Sequence, residues 1–571
     1  MLQFISIVLG VSAIAGYWFY HRIQRKKKIR EKLAASWGEP QMKDHNWAQV
    51  RQYHDLVKSQ IDTAPLDDKT WEDLNFPELF KRVDSTQSYI GQQMLFHLLR
   101  TPLYDDKKLQ EREALLDIFA DNPDFRLDLQ MELRNLTDYS IWRLPKLLFS
   151  ELPTIPLYYY LFLAIPFLAV STIGLGFFDP AFFIALGLIP AVNLLIQYII
   201  GNNIARYTAA LSGLRPFLKT AEAIGALDKK HGNPLGKKGK QIRNQTKQLA
   251  KLKKRVSAYL HESNPDNIGS LVWDYINILC LMKINMFTLS INIIKQKKEL
   301  ITSLYATIGQ LDAFIAAASF RHSLCRYCHP TLDNTNAGIS YHQAYHPLLE
   351  NPVPNSMTIK QKGILVTGSN MSGKTTFLKT MGVNQVLAQT FNFCCADEAT
   401  LPFCNVISSM RREDQLTEGK SFYMGEVERV KELIDSSSSS KKPTLFLLDE
   451  IFRGTNTIER IAASMQVLKW LNSDKDFVLA STHDLELVTL LEDEYEFYHF
   501  AEEVREESLF FDYKIKPGHS STRNAIKLLE LSDYPPTVVE GAMKMSEVLE
   551  NQGVINYRIN STEEDGEYDQ L

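Results

Sequence analysis

The chain has 571 residues, with 63 lysines and arginines against 67 aspartates and glutamates, and a formal net charge of −4. This length is enough for about four domains. Six cysteines are too few for a disulfide framework in so long a chain, which excludes the small disulfide-stapled secreted proteins and suits a reducing compartment.

The first segment predicts a membrane anchor. Residues 1–20 carry no charge and are mostly apolar, and residues 22–30 are strongly basic. A secretory signal peptide has its positive charge before the apolar core, so this reversed polarity predicts an uncleaved transmembrane helix at 1–20. The positive-inside rule then places the basic linker 21–70 in the cytoplasm. A buried helix of a soluble domain is the alternative.

A second apolar region follows a soluble-looking helical segment at 71–150. Residues 155–178 and 181–205 are uncharged and are separated by Asp179-Pro180. Each half is long enough to cross a bilayer, so the pair predicts a transmembrane hairpin at 155–205 that returns the chain to the side it left. A very apolar helical hairpin buried in a soluble core is the alternative.

The stretch Lys229–Arg255 carries eleven lysines and arginines and no acidic residue. Its glycines and proline predict a loop in the first half, and a helix is expected from Gln241 onward. Three interpretations remain open, namely a solvated surface, a patch for the anionic inner leaflet, and a nucleic-acid contact. Helical periodicity then continues to about residue 320.

A phosphate-binding loop is predicted further along the chain. The run Gly363–Thr367 reads as a buried strand, Phe377–Met381 opens a helix, and the nine residues between them fit G-x-x-x-x-G-K-[ST]. The glycines let backbone N–H groups point at a polyphosphate, the lysine reaches the β- and γ-phosphates, and the threonine after it can hold Mg²⁺. The predicted nucleotide-binding residues of this loop are Gly368, Ser369, Asn370, Met371, Ser372, Gly373, Lys374, Thr375 and Thr376.

Two later strands end in groups that complete such a site. Thr444–Asp449 is followed by Glu450, so Asp449 is predicted beside the metal and Glu450 is predicted to polarise the attacking water. A third strand runs from Phe477 to His483, and His483 is a candidate γ-phosphate sensor. With Lys374 and Glu450, His483 makes up the predicted catalytic set, and the cofactors are ATP and Mg²⁺. The serine run 436–440 is predicted to be a surface loop.

These residues resemble a known family. Gly368–Thr376, Asp449–Thr455 and Ser481–His483 are similar to the ATPase of the MutS family of DNA mismatch-repair proteins. Gly419–Glu426 resembles that family's signature loop, whose serine, Ser421 here, caps the nucleotide of the opposite subunit, although Phe422 stands where the family usually has threonine. The resemblance also implies an aromatic contact to the base from Tyr513.

The helical part carries the resemblance as well. Asp84-Ser85-Thr86 with Gly91 resembles the start of the MutS core, and Ile308–Phe314 resembles the helix that closes it. His346-Pro347 resembles the turn leading into the ATPase, after which Pro352 stands where some members have an aromatic residue. The family inserts its lever and DNA-clamping helices where this chain has its basic stretch.

The resemblance implies an α/β P-loop NTPase (ABC/MutS-type ATPase) preceded by an all-α core and lever domain, here with transmembrane helices. It also implies a homodimer and DNA binding through Lys229–Arg255, whereas the mismatch-recognition domain has no counterpart. The predicted parts are the anchor 1–20, the linker 21–70, the first core part 71–150, the hairpin 155–205, the lever and second core part 206–330 with the basic stretch 229–255, the ATPase 340–530, C-terminal dimerisation helices 531–555 and an acidic tail 556–571.

The expected function is that of a membrane-anchored MutS-like ATPase. We expect it to span the cell (inner) membrane several times, with the ATPase facing the cytoplasm and lipid bilayer as a partner. The alternatives are a membrane transport or remodelling ATPase and a scaffold that ATP switches, both without DNA binding.

Overall fold

The computed structural model describes residues 2–61, 64–259, 268–333, 338–369, 371–410, 422–473, 475–505, 508–519 and 534–551, with 526, 529 and 530. The chain divides into two compact units. The first consists of Met1–Pro65 and Glu78–Cys325, and the second of Leu66–Pro77 and Arg326–Leu571.

The described elements up to residue 323 are helical. They are α1 (Leu2–Ala35), α2 (Trp47–Val50), α3 (Gln52–Val57), α4 (Asp68–Asp73), α5 (Phe76–Val83), α6 (Tyr89–Arg100), α7 (Asp106–Asp121), α8 (Pro123–Leu133), α9 (Tyr139–Trp142), α10 (Leu144–Phe149), α11 (Ile165–Gly176), α12 (Ala181–Lys230), α13 (Lys237–Gln248), α14 (Ala250–Tyr259), α15 (Ile268–Cys280), α16 (Met282–Gln296) and α17 (Lys298–Ser323), with 3₁₀ segments at Lys58–Gln60, Arg134–Leu136 and Leu157–Ala164.

Strands and helices alternate in the remainder. The elements are β1 (Thr331–Asp333), β2 (Ile339–Ala344), β3 (Asn355–Ile359), β4 (Gly363–Thr367), α18 (Lys374–Phe391), β5 (Glu398–Pro402), β6 (Asn405–Ser409), α19 (Phe422–Ser439), β7 (Thr444–Asp449), α20 (Thr457–Leu471), β8 (Phe477–Ser481), α21 (Glu486–Leu490), β9 (Tyr495–Arg505), β10 (Ser508–Pro517) and α22 (Pro536–Asn551). A helical N-terminal region followed by mixed α/β sheets is the order that the sequence predicted.

The core of the first unit is the contact between α6 and α17. Gly91 on α6 packs so closely on α17 that an added Cβ would lie 2.2 Å from a carboxylate oxygen of Asp312. The buried Asp312 carboxylate accepts from the backbone N–H groups of Gln87 at 2.9 Å and Ser88 at 2.8 Å, at the start of α6. Because the first N–H groups of a helix have no partner within it, this carboxylate fixes α6 to α17.

A second buried carboxylate holds the turn before α6. Asp84 accepts from the backbone N–H of Thr86 at 3.1 Å and from its hydroxyl at 2.6 Å. Lys43 lies 3.1 Å and His45 2.9 Å from the same carboxylate. Burial alone raises the pKa of Asp84, but the charge of Lys43 and the hydrogen bonds outweigh it, so the pKa lies well below its usual value.

The predicted apolar hairpin is helical and exposes its side chains. Among the described residues, Leu157–Gly176 and Ala181–Gly201 are long and apolar enough to cross a membrane, and only 17% and 18% of their most apolar stretches are buried. The helix α17 meets the same criterion but is 72% buried, since it forms the core of its unit. The predicted anchor 1–20 lies on α1, most of whose side chains up to residue 15 fall outside the described residues, so it stays a prediction.

The hairpin differs from its prediction in length. Its turn lies at Asp179-Pro180 as expected, but α12 continues beyond the predicted end of the span and is 50 residues long. Pro190 and Pro216 both lie within it. Each proline removes one backbone hydrogen bond, but neither ends the helix.

The second unit contains two sheets. One has the strand order β1-β5-β2-β3, and the other has the order β10-β9-β4-β8-β7-β6. In the larger sheet β9, β4, β8, β7 and β6 run parallel and β10 is antiparallel to β9. Every residue of β4 and β8 is buried, as expected for parallel strands covered on both faces. Leu365, Phe446, Val478 and Leu468 belong to one apolar cluster there.

Two local features differ from the sequence predictions. The serine run 436–440 was predicted to be a loop, but Ser436–Ser439 form the last turn of α19. The Ser438 hydroxyl donates to the Ile434 carbonyl at 3.0 Å, and the Ser439 hydroxyl donates to the Asp435 carbonyl at 2.8 Å, so the polar side chains are satisfied within the helix. In addition, Leu66–Pro77 was predicted to belong to the linker and the helical core, but it is part of the second unit. There Asp73 accepts from the Ser408 hydroxyl at 2.7 Å and from the Met410 N–H at 2.9 Å.

Candidate nucleotide-binding site

The loop between β4 and α18 has the backbone that a phosphate-binding loop requires. Gly368 has φ of +134° and Gly373 has φ of +104°. A Cβ at Gly368 would lie 2.8 Å from the carbonyl oxygen of Phe500, so only glycine fits there. The Ser372 hydroxyl donates to the Ser369 carbonyl at 2.7 Å and closes the loop. Asn370, also predicted to bind nucleotide, lies outside the described residues.

Lys374 begins α18 and is 2% exposed. Its ammonium group donates to the carbonyl oxygens of Gly368 at 2.6 Å and Ser369 at 2.8 Å. Burial lowers the pKa of Lys374 to about 8, although the charges of Asp449 and Glu502 act in the opposite direction. The loop therefore holds a desolvated cation at a helix N-terminus, where an anionic ligand is favoured.

The two residues predicted to hold a metal lie together. The Thr375 hydroxyl on α18 donates to Asp449 Oδ2 at 2.7 Å. Asp449 ends β7 and pairs in register with Ser481 at the end of β8, and the Ser481 hydroxyl donates to Asp449 Oδ1. A hydroxyl and a carboxylate are the kind of oxygen ligands that Mg²⁺ uses together with substrate phosphates.

A metal at this place would depend on few protein ligands. No group of three or more His, Cys, Asp or Glu side chains suited to a metal occurs among the described residues. Thr375 and Asp449 therefore fit Mg²⁺ bound through phosphates and water rather than an all-protein cage.

Glu450 is held in an unusual and restricted position. Its φ is +54°, its side chain is 3% exposed, and its backbone N–H donates to the Ser481 carbonyl at 3.0 Å. Its carboxylate forms an ion pair with Arg453, lies 3.3 Å from His483 Nδ1 and lies 3.8 Å from the Lys374 ammonium group. A left-handed backbone at a charged, buried residue is a strain that functional sites commonly retain.

Three residues around Glu450 were not assigned a role from the sequence. Arg453 lies within the motif that was recognised, three residues after Glu450, but its contact with the carboxylate was not anticipated. Arg460 on α20 forms a bidentate pair with Asp484, at 2.9 and 2.6 Å. Asp484 in turn lies 3.7 Å from His483 Nε2. The Arg460–Asp484 pair joins the first turn of α20 to the segment after β8, and no local sequence pattern indicates such a contact.

A cleft of about 380 Å³ opens beside the loop. Gly373, Thr376, Phe377 and Tyr513 are among the residues that line it. The Tyr513 ring comes within 3.3 Å of where a Gly373 Cβ would be, and the Asn355 amide donates to the Tyr513 carbonyl at 2.9 Å. The structure therefore brings the predicted base-contacting residue to the phosphate loop.

The remaining predicted residues are placed as follows. Met371 is exposed and lines the same cleft, whereas Val353 rather than Pro352 lies on its wall. Ser421 lies outside the described residues. The helix α19, which follows Ser421 in the chain, contacts the loop after β7, since the Gly454 N–H donates to the Glu426 carboxylate at 3.2 Å.

Comparisons with known proteins match the part of the chain that contains this site. Residues 364–550 match the family model of MutS domain V. Residues 364–550 therefore belong to the MutS family. The matched segment contains the phosphate loop, both strand ends with Asp449 and His483, and Tyr513.

Similar proteins of this family include mismatch-repair proteins from bacteria and a human homologue. The chain is 30% identical over 254 residues to the DNA mismatch repair protein MutS of Thermus thermophilus, which covers 43% of the chain and 30% of that protein. It is 29% identical over 272 residues to MutS of Lactobacillus acidophilus, covering 46% and 31%. It is 28% identical over 271 residues to human MutS protein homolog 4, covering 44% and 28%. The chain thus spans about a third of the length of these relatives.

The basic stretch 229–255 contains no acidic residue, but acidic side chains from elsewhere in the chain partly neutralise it. Asp228 pairs with Arg243, Glu222 pairs with Lys253, and Asp128 lies 3.3 Å from Lys230. These acidic residues lie before the stretch in sequence, and the helices α8 and α12 carry them to it. The exposed basic side chains of the stretch are Lys229, Lys230, Lys237, Lys240, Lys247, Lys251, Lys254 and Arg255.

Proposed function

We propose that this MutS-family protein is a membrane-anchored, dimeric ATPase that binds ATP with Mg²⁺, hydrolyses it and binds DNA. The observation that carries the ATPase proposal is the Thr375–Asp449 hydrogen bond of 2.7 Å, with Lys374 and Glu450 beside it. These side chains come from α18, β7 and the loop after β7, and they meet at the carboxyl ends of parallel strands, where ligands of such sheets bind.

Each residue has a distinct task in this proposal. Lys374 exchanges its loop carbonyl partners for the β- and γ-phosphate oxygens, and Thr375 and Asp449 hold Mg²⁺, which neutralises phosphate charge when bound. Glu450 orients the attacking water, while Arg453 and His483 keep its carboxylate in place. Tyr513 offers its ring to the base across the cleft.

ATP binding and hydrolysis by the purified chain in detergent test this proposal. Lys374→Ala removes the cation from the loop and is expected to abolish ATP binding, because neutral amides alone hold a triphosphate weakly. Chelation of Mg²⁺ is expected to stop turnover of the wild type. Unchanged ATP binding by the alanine variant would contradict the assignment of the site.

The DNA part of the proposal rests on two kinds of support. Relatives of the chain are named DNA mismatch repair proteins. The basic stretch also presents exposed cations such as Lys247, Lys251, Lys254 and Arg255. Since no base-reading element is identified among the described residues, we expect affinity to follow DNA shape or ends rather than sequence.

Duplex binding by the full chain in lipid nanodiscs, measured over a salt series, tests the DNA contact. If about six cations meet phosphates, log K falls against log salt with a slope near −5. Replacing Lys247, Lys251, Lys254 and Arg255 by Gln is expected to flatten that slope by about 3 to 4. Loss of binding to anionic liposomes instead, with DNA binding unchanged, would make the stretch a lipid patch. No DNA binding in any nucleotide state would favour a membrane-remodelling ATPase.

The membrane part of the proposal rests on the exposed apolar hairpin. Leu161, Phe167 and Leu195 are 71%, 76% and 60% exposed, although contact of such apolar side chains with water is unfavourable. We place the hairpin and the segment 1–20 in the cell (inner) membrane, with the ATPase in the cytoplasm. The helix α22, which exposes Val538 and Met545, is proposed as part of the subunit contact.

A further inference from the structure

The helices α15 and α16 form an apolar pair. The hydrophobic periodicity of the sequence predicted continuous helix in this region and no break between them. Asp274–Cys280 and Met282–Gln296 are together apolar enough for a membrane segment, and they meet at an angle of 72°. Leu281 between them has φ of +48°, a left-handed conformation that is costly for leucine. The break is therefore a specific feature of the fold.

The carbonyl groups freed at the break are all satisfied by side-chain amides. The last four carbonyls of a helix lack partners within it, and in α15 these belong to residues 277–280. Gln197 donates to the Asn277 carbonyl at 3.2 Å, and Asn193 donates to the Ile278 and Leu279 carbonyls at 2.9 and 2.8 Å. Asn285 donates to the Cys280 carbonyl at 3.0 Å.

This arrangement is the one that a lipid environment demands. At a break exposed to water the solvent would satisfy these carbonyls, whereas in hydrocarbon each unsatisfied group costs several kcal/mol. Non-helical backbone at membrane depth is tolerated only where it is buried in protein or lines a water-filled cavity, and the break here is buried in protein. Asn193 is 1% exposed and lies on α12, within the proposed transmembrane hairpin.

The position of the break follows from α12. Asn193 and Gln197 lie 12 and 16 residues after Ala181, which follows the hairpin turn, so they are about 18 and 24 Å from that turn. A hydrocarbon core of about 30 Å then puts the break near the middle of the bilayer.

The order of the contacts gives the direction of each helix. Along α15, Asn277 meets Gln197 and Leu279 meets Asn193, so α15 runs toward the turn end of the hairpin. Along α16, Asn285 donates to the Phe162 carbonyl at 3.1 Å, whereas the later Asn292 donates to the Tyr160 hydroxyl. The segment 157–176 leads toward the turn, so α16 runs away from it. Both ends of the pair therefore lie on the side opposite the turn.

We propose that residues 268–296 form a re-entrant membrane segment that enters the bilayer from the cytoplasmic side, breaks at Leu281 near mid-depth and returns. The partner of this segment is the lipid acyl chains. The half-exposed face of α15 near Ile276 would contact them, because it continues the exposed apolar surface of the hairpin. Asp274 lies toward the entry end, where its carboxylate reaches water. This inference rests on the proposed membrane hairpin and adds a segment that keeps everything after it on the cytoplasmic side.

Spin-label accessibility in proteoliposomes tests the depth of the break. The full chain with Cys325→Ser and Cys328→Ser keeps Cys280, half-buried beside the break, as its accessible thiol, because Cys394, Cys395 and Cys404 are buried. A nitroxide on Cys280 is expected to be relaxed by oxygen, which partitions into lipid, and to lose relaxation by a water-soluble nickel chelate.

Two controls separate this inference from the proposed hairpin. Leu161→Cys reports the hairpin and Tyr139→Cys reports a water-exposed helix, each in a chain that also carries Cys280→Ala. A label on Cys280 that behaves like Leu161→Cys supports the re-entrant segment. If Leu161→Cys is lipid-exposed and Cys280 is nickel-accessible, the re-entrant segment is wrong and the hairpin stands. If both are nickel-accessible, the hairpin and the segment are both wrong.

A second variant tests the amide contacts. Asn193→Leu removes the donor to two carbonyls and is expected to admit the nickel chelate to Cys280 and to lower the thermal unfolding midpoint. Val192→Leu, at a neighbouring exposed position of α12, is expected to change neither. Equal behaviour of the two variants would show that Asn193 does not hold the break, and would overturn the inference drawn from its contacts.

Discussion

Lys374 makes ATP binding dependent on pH in a way that its environment predicts. The ammonium group is 2% exposed, and burial lowers its pKa from the ordinary value of 10.5 to about 8. A triphosphate beside it favours the charged form and raises the pKa again. The free site is therefore partly neutral at pH 8, and ATP binding takes up a fraction of a proton on average.

The size of the effect follows from proton linkage. With a pKa of about 8, about half of the free sites are neutral at pH 8, so ATP binding should take up about 0.5 proton at pH 8 and about 0.9 proton at pH 9. Above pH 8 the affinity for ATP falls by up to about tenfold per pH unit. Below pH 7 the affinity does not change with pH through Lys374, because the group is already charged. The sign is fixed because the pKa of the free site lies below that of the bound site.

Isothermal titration calorimetry measures this uptake when the same titration is repeated in buffers of different ionisation enthalpy. Lys374→Arg is the matched control, because a guanidinium group stays charged at these pH values and takes up no proton. Absence of proton uptake by the wild type between pH 8 and 9, or the same uptake by the arginine variant, would refute the role assigned to Lys374.

Three further predictions concern the helical unit and its topology. Gly91→Ala would place a Cβ 2.2 Å from the Asp312 carboxylate and is expected to destabilise the chain by about 3 kcal/mol or more. Gly541→Ala is the control, because open space surrounds Gly541, and it is expected to leave stability unchanged. Thermal unfolding midpoints of the two variants compare them. Burial raises the pKa of Asp312 to about 6, so the contribution of this group to the free energy of unfolding should fall by about 3 kcal/mol as pH rises from about 4 to 6; the difference in stability between the wild type and Asp312→Asn should change by about this amount over that range. In intact cells, cysteines introduced at positions 3 and 179 should react with an impermeant thiol reagent. The exposed Cys325 should react only after the cells are permeabilised. Labelling of Cys325 in sealed cells would show that the proposed membrane topology is wrong.

The parts of the fold that sequence alone predicted are those with local signals. The strands β4, β7 and β8 are continuous apolar runs, and the loop after β4 has glycines where positive φ occurs, so the site could be placed from the chain. The helical core was also predicted, but the contact of Gly91 with Asp312 spans more than 200 residues. The resemblance to the MutS core included both residues, whereas the hydrophobic periodicity of the helices indicated neither contact partner.

The parts that were missed depend on contacts between distant residues. The acidic partners of the basic stretch lie before it, and Asp128 is about 100 residues away, so counting charges within the stretch overestimated its free charge. The break at Leu281 was invisible because a leucine occupies the left-handed position, where a glycine would have marked it. Asn193 and Asn285, which stabilise the break, are ordinary polar residues in sequence and acquire their role only by their position in the fold.

Glu450→Gln tests the central claim most directly, because it changes one group at the strand end and leaves the phosphate loop intact. The amide keeps the shape of the side chain but cannot act as a base toward water, so turnover should fall at least about 100-fold. Binding of ATP with Mg²⁺, which depends on Lys374, Thr375 and Asp449, should persist. ATP turnover and nucleotide occupancy of the same preparation are measured together. Bound ATP with strongly reduced hydrolysis is the predicted result, and turnover equal to that of the wild type would contradict the assignment of Glu450 as the residue that activates water.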